Sequence, residues 1–223
     1  MQQLILRSVS AAVIVVTILS LIFSKILYCL LLAFIFTGMI TEWQNITKKK
    51  LLHLGVATCL LPTISLGILR FYSLPLSILY FVTLWSVDTS AMLGGMYFKG
   101  PKLAVRITPK KTWSGFCVGI VTCCVILLYV FSYNVPIVRM NVRNCAIALS
   151  IFASFAVIAQ IGDLAMSAFK RKFGVKDSGD FIPGHGGFLD RFDSSILSAP
   201  FVLLCCYIIG SFDFQTLSQY IKT

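Results

Sequence analysis

Residues 145–193 read CAIALSIFASFAVIAQIGDLAMSAFKRKFGVKDSGDFIPGHGGFLDRFD. From Cys145 to Gly162 there is no charged side chain. The 31 residues that follow, Asp163 to Asp193, then hold five of the chain's eight acidic residues and one of its two histidines. A charge at the centre of a bilayer-crossing helix costs about 2.5–3.5 kcal/mol. Charges gathered beside an apolar run therefore mark a helix end where they pair with one another and do work. The stretch reads as a membrane span that opens into a polar, working island, and the rest of the chain follows from that reading.

Composition agrees: 58% of the 223 residues are hydrophobic and 12% are charged, against about 45–50% and about 25% in soluble proteins. Crossing a hydrocarbon core takes roughly 17–25 apolar residues. Seven candidate spans follow, at residues 4–23, 26–41, 51–69, 74–93, 113–133, 145–167 and 194–212. Only Ser24 and Lys25 separate the first two, so a tight helical hairpin is expected there. No small-residue cleavage site follows the first run, and the N-terminus is expected to be retained. The expected fold is an all-α, polytopic integral membrane protein of about seven transmembrane helices.

With the N-terminus in the cytoplasm, alternating spans place 14 of the 19 Lys and Arg residues on one side: Arg7, Lys48, Lys49, Lys50, Lys99, Lys102, Arg106, Lys110, Lys111, Lys170, Arg171, Lys172, Lys176 and Arg191. Positive charge of this bias faces the cytoplasm. The island is therefore expected on the cytoplasmic face, with the C-terminus outside. Glu42, Asp88, Asp163, Asp177, Asp180, Asp190 and Asp193 fall on the same side, leaving only Asp213 on the other. The net charge of +11 suits anionic headgroups or phosphorylated ligands.

The eight cysteines all lie in apolar runs without CxxC spacing, which fits apolar filler. Two histidines build no zinc cluster, and His53 reads as interfacial. Pro200 is expected to kink the last span. Trp85 and Trp113 are expected to pack or to anchor at the interface.

Within the island, Asp163, Ser167 and Lys170 stand at i, i+4 and i+7 and share one helical face. Residues 173–187 contain Gly174, Gly179, Pro183, Gly184, Gly186 and Gly187, too many breakers for a helix, so they form a loop. Asp190 and Asp193, three apart, can share a face where the last span begins. Three carboxylates from two helix ends, with Lys176, His185 and Arg191 nearby, suit a divalent ion bound to phosphate oxygens. Magnesium fits that chemistry best. Gly-His-Gly-Gly at 184–187 lets backbone N–H groups approach an anion, and no Walker lysine follows it.

Taken together these residues resemble the phosphatidate cytidylyltransferases, or CDP-diacylglycerol synthases. The family pattern S-x-apolar-K-R-x4-K-D-x-small-x2-apolar-P-x-H-G-G-apolar-x-D-R-apolar-D is filled at every specified position, from Ser167, Phe169, Lys170 and Arg171 to Asp190, Arg191, Phe192 and Asp193. Upstream, Asp88-Thr89, Lys102-Leu103 and Thr108-Pro109-Lys110-Lys111-Thr112-Trp113 look like the family's second polar block. Glu42-Trp43 resembles the family more weakly. Ser90, Met96 and Ser114 depart from the residues usual there.

The resemblance implies transfer of CMP from CTP to phosphatidate, giving CDP-diacylglycerol and pyrophosphate, with Mg2+ and an open place for a second, monovalent cation. It implies Asp163 and Asp190 as principal metal ligands, with Asp193 next. Lys176, His185 and Arg191 would hold phosphates, and Asp177 would contact the nucleotide. Lys110 and Lys111 would reach the triphosphate or the lipid phosphate. Lys170, Arg171, Gly186, Gly187 and Asp88 complete the expected substrate-binding set; for Asp88, pairing with Lys99 or Lys102 at a helix end is an equal alternative. The catalytic set is Asp163, Asp190, Asp193, Lys176 and His185.

The substrate phosphate is itself the nucleophile, so neither an activated serine nor a general base is required. One domain over 1–223 is expected, with N-terminal helices at 1–93 and catalytic helices and loops at 94–212, in a bacterial inner membrane. The expected partners are CTP, phosphatidate, membrane lipids and a second copy of the chain, with no nucleic acid. Two rivals fit less well. A CDP-alcohol phosphotransferase would carry D-x2-D-G-x2-A-R, which is absent. A transporter would place polar groups mid-membrane in repeated halves, whereas here they gather at one face.

Overall fold

The computed structural model describes residues 23–134, 142–179, 181 and 186–210, with side chains 131–144 and 209–210 left aside. The expected first span, at 4–23, therefore lies almost wholly outside the described residues, as do His185, Asp180 and the C-terminal segment.

Among the described residues, seven helices and one hairpin follow in order: α1 Lys25–Thr47, α2 Leu52–Tyr72, α3 Leu74–Phe98, β1 Lys102–Ala104, β2 Thr108–Thr112, α4 Trp113–Asn134, α5 Val142–Lys172, α6 Phe188–Phe192 and α7 Ser195–Gly210. Among the described residues, α1 to α5 are each long and apolar enough to cross a bilayer, and α7 is a shorter apolar helix. Phe23, Ile26, Tyr97 and Tyr207 are each more than 70% exposed. Apolar surface of this kind is at ease against lipid tails, where the helices have already satisfied the backbone internally.

One departure from the sequence reading bears on the expected site residues. The fold is not purely α, because residues 102–112 form an antiparallel hairpin with Lys102 opposite Thr112 and Ala104 opposite Thr108. Pro101 and Pro109 deny this segment a helix, and Thr108 and Thr112 favour extended backbone in β2. The last span begins within one residue of the expected position. Asp190 belongs to the separate five-residue α6, Asp193 caps it, and α7 starts at Ser195.

The chain divides into two compact units. The first comprises the described residues of Met1–Tyr80 and Gly162–Pro200. In it, α1 starts at Ser24, whose hydroxyl accepts the Leu27 N–H at 3.3 Å. It runs past its apolar limit to Thr47 and ends on Lys48 and Lys49, both at positive φ, the left-handed conformation that commonly terminates a helix. The Trp43 indole N–H closes this turn by donating to the Leu51 carbonyl at 3.0 Å. The same ring lies against Gly55, where a Cβ would collide with it, so α1 and α2 meet closely. Ile35, Met39, Trp43, Ile46, Cys59, Met166, Phe188, Leu189 and Ile196 form the buried apolar cluster. Trp43 stacks on Phe169 with centroids 4.1 Å apart.

The second unit comprises the described residues of Phe81–Ile161 and Phe201–Thr223. Thr112 caps α4 by accepting the Gly115 N–H at 3.1 Å, as N-cap threonines do. Gly94 faces the Val118 side chain, and Gly115 faces the Ala91 carbonyl, so α3 and α4 meet closely at the two glycines. The Gln160 amide donates to the Phe116 carbonyl at 3.3 Å.

Candidate functional site

The first unit gathers the polar island around two carboxylates. The helix α5 ends with Lys170, Arg171 and Lys172 in its last turn, cations that suit a helix C-terminus. Gly174, at φ +74°, then turns the chain, with Gly174 N–H donating to the Arg171 carbonyl at 3.0 Å and Val175 N–H to the Lys170 carbonyl at 3.0 Å. The exposed Arg171 guanidinium donates back to the Val175 carbonyl at 3.0 Å. This turn leaves Lys170 buried and facing α6.

Lys170 Nζ donates to Asp190 Oδ1 at 2.5 Å, an ion pair whose side chains are 8% and 9% exposed. The other oxygen, Oδ2, accepts the Ser178 N–H at 2.8 Å, the Ser178 hydroxyl at 2.9 Å and the Gly187 N–H at 3.0 Å. Asp190 stands at the third position of α6 and so caps its own helix start. Burial pushes the Asp190 carboxyl up, but hydrogen bonds from Lys170, Gly187 and Ser178 and the lysine charge outweigh it, and the group sits below its ordinary range.

The second carboxylate comes from α1. Glu42 is 2% exposed. Its Oε1 accepts the Phe188 N–H at 2.8 Å, and its Oε2 accepts the Leu189 N–H and the Ser178 hydroxyl, each at 2.9 Å. Two orphan donors at the start of α6 thus end on a carboxylate from a different helix. Two glycines of the motif make room for this arrangement. A Cβ on Gly187 would strike the Glu42 carboxylate, and Gly186, at φ +78°, would place a Cβ 2.5 Å from Asp190 Oδ2.

The remaining expected residues are placed as follows. Ser167 donates to Asp163 Oδ1 at 3.4 Å, confirming the shared face read from their spacing. Gly162, beside Asp163, lies against the carbonyls of Asp193 and Ser194, and Asp193 Oδ1 accepts the Ser194 N–H at 2.8 Å. Lys176, Asp177 and Arg191 are exposed. His185 is outside the described residues. Asp88, Lys110 and Lys111 belong to the second unit, where Lys110 is exposed and Lys111 and Asp88 are half-buried.

The donor chemistry of Asp163, Asp190 and Asp193 suits a hard divalent ion. Among the described residues, however, no three His, Cys, Asp or Glu side chains assemble into a metal-holding group. Both oxygens of Asp190 are engaged, Oδ1 by Lys170 and Oδ2 by Ser178 and Gly187. Sequence reasoning assigned no role to Glu42 or Ser178. The signal for Glu42 was an acidic residue at the end of an apolar run, and Ser178 filled an unspecified place in the motif.

Residues 51–209 match the Cytidylyltransferase family. The chain is 42% identical over 206 residues to a phosphatidate cytidylyltransferase of Rickettsia felis, covering 89% of this chain and 90% of the relative. It is 42% identical over 214 residues to the enzyme of that name from Rickettsia prowazekii, covering 93% of each. It is 34% identical over 165 residues to that of Haemophilus influenzae, covering 70% of this chain and 57% of the relative. With more than half its length matched and the island motif intact, the chain belongs to the cytidylyltransferase family.

Proposed function

We propose that the protein transfers CMP from CTP to phosphatidate in phospholipid biosynthesis. A phosphatidate phosphate oxygen forms a bond to the α-phosphorus of CTP, the bond between the α-phosphorus and its bridging oxygen breaks, and pyrophosphate leaves with that oxygen, giving CDP-diacylglycerol. The observation that supports this reading best is identity of about two-fifths over nine-tenths of the chain to phosphatidate cytidylyltransferases, joined to a motif filled at every specified position.

The reaction brings several negative charges together, so fixed cations and N–H groups are the main catalytic resource. In this reading Lys176, Arg191 and His185 hold phosphates, Asp177 contacts the nucleotide, and Lys110 and Lys111 add positive charge to substrate binding. A magnesium ion belongs to the same reading and, when bound, neutralises charge on the triphosphate. Asp163, Asp190 and Asp193 would hold it. A monovalent companion ion and a homodimer rest on the family resemblance alone.

The reading also includes a single membrane domain of about seven spans in a bacterial inner membrane, with the N-terminus and the site loops in the cytoplasm. Its support is the 14 of 19 basic residues that alternating spans place on one side. A cytoplasmic site suits a soluble nucleotide meeting a lipid of the inner leaflet.

The test is turnover of labelled CTP with phosphatidate by purified protein in mixed micelles. CDP-diacylglycerol and pyrophosphate should form in equal amounts only with a divalent ion, and D163N should abolish their formation. Absence of turnover under any metal overturns the assignment. A single cysteine at position 176, in a background freed of native cysteines, should label from the cytoplasmic side; labelling only from outside overturns the topology.

A further inference from the structure

We propose that Glu42 is a positioning residue for the reaction, acting through Ser178 and the start of α6 to set the orientation of Asp190. This rests on the functional reading above. Glu42 lies outside the matched residues 51–209, yet its side chain is more deeply buried than any other acidic group described.

A carboxylate taken out of water costs several kcal/mol unless donors replace its hydration. Glu42 recovers three: the Phe188 and Leu189 amides and the Ser178 hydroxyl, at 2.8, 2.9 and 2.9 Å. These donors all come from the motif segment 178–189, none from α1 or α2. Among the described residues, the hydrogen bonds of this side chain therefore all go to that segment. An apolar residue of the same size would fill the space, but would leave two buried amides without acceptors.

Ser178 is the link. Its hydroxyl lies 2.9 Å from Glu42 Oε2 and 2.9 Å from Asp190 Oδ2, while its N–H also ends on Oδ2. A hydroxyl has one proton to donate, so the two carboxylates share it, and the position of one is tied to the other. Gly187 completes the arrangement, because its N–H donates to Asp190 while its bare Cα faces Glu42. Asp190 is thus held by groups that Glu42 itself holds in place.

The experiment compares wild type, E42Q, S178A, S178T and the double variant E42Q/S178A in micelles, with activity expressed per folded enzyme and amide exchange followed at residues 187–189. Glutamine keeps the volume of Glu42 but turns one acceptor into a donor, which then faces either the Phe188 or the Leu189 amide. Expected are a fall in kcat of about 10- to 100-fold for E42Q and S178A, the size seen when a reacting group is slightly misplaced, and little change in KM for CTP. The double variant should be no worse than the worse single one. S178T, which keeps the hydroxyl, should recover activity, and amide exchange at 188 and 189 should quicken in E42Q.

Wild-type kcat in folded E42Q or S178A overturns the proposal, as do losses that multiply in the double variant. If E42Q does not fold, S178A against S178T decides: equal kcat in the two removes the link. No turnover by the wild-type protein is a different result, and counts against the functional reading itself.

Discussion

Lys170 Nζ and Asp190 Oδ1 form a buried ion pair at 2.5 Å that joins the last turn of α5 to α6 across the motif loop. Among the described residues the lysine supplies the only charged donor to a carboxylate otherwise held by Ser178 and Gly187, and it comes from the helix face that also carries Asp163 and Ser167.

Breaking this pair from one side leaves an uncompensated buried carboxylate. K170M should destabilise the protein by about 3–5 kcal/mol, read as a lower unfolding midpoint in detergent. The double variant K170M/D190L should recover much of that loss, because it removes both charges.

The depressed Asp190 carboxyl makes part of the stability pH-dependent. The unfolded chain binds a proton near the ordinary value of 3.8, whereas the folded group resists it to lower pH. Stability from this group is therefore fully present above that value and is lost as pH falls below 3.8 through the folded one. Denaturation curves across the acid range should show a wild-type loss that is smaller in D190N.

Gly187 has no room for a side chain, since a Cβ there meets the Glu42 carboxylate. G187A should cost about 1–3 kcal/mol through overpacking, and it should lower activity as well. A folded G187A enzyme with wild-type turnover would show that the loop tolerates displacement from Glu42.

Lys110 and Lys111 lie on β2, whose turn back to β1 carries Arg106. If they add charge to substrate binding, K110A and K111A should each raise KM for CTP or phosphatidate roughly tenfold, the size of one charged hydrogen bond, with kcat nearly unchanged. Varying one substrate at a time identifies which phosphate is held.

The amino-acid sequence by itself determined the helical spans, because hydrophobic length is a local property: the apolar runs beginning at 26, 51, 74, 113 and 145 are each a helix long enough to cross a bilayer. It also determined the turn after Lys172, through Gly174, and the shared face of Asp163 and Ser167, through helical spacing. The hairpin at 102–112 was less legible, since strand pairing depends on partners rather than on a short run of residues. What only the tertiary structure decided is who pairs with whom. Glu42 and Ser178 lie 136 residues apart and share a hydrogen bond, and the cation facing Asp190 is Lys170 rather than its neighbour Arg191. Such contacts join distant segments, and burial fixes them by requiring every charge and amide removed from water to find a partner; no local pattern carries that information.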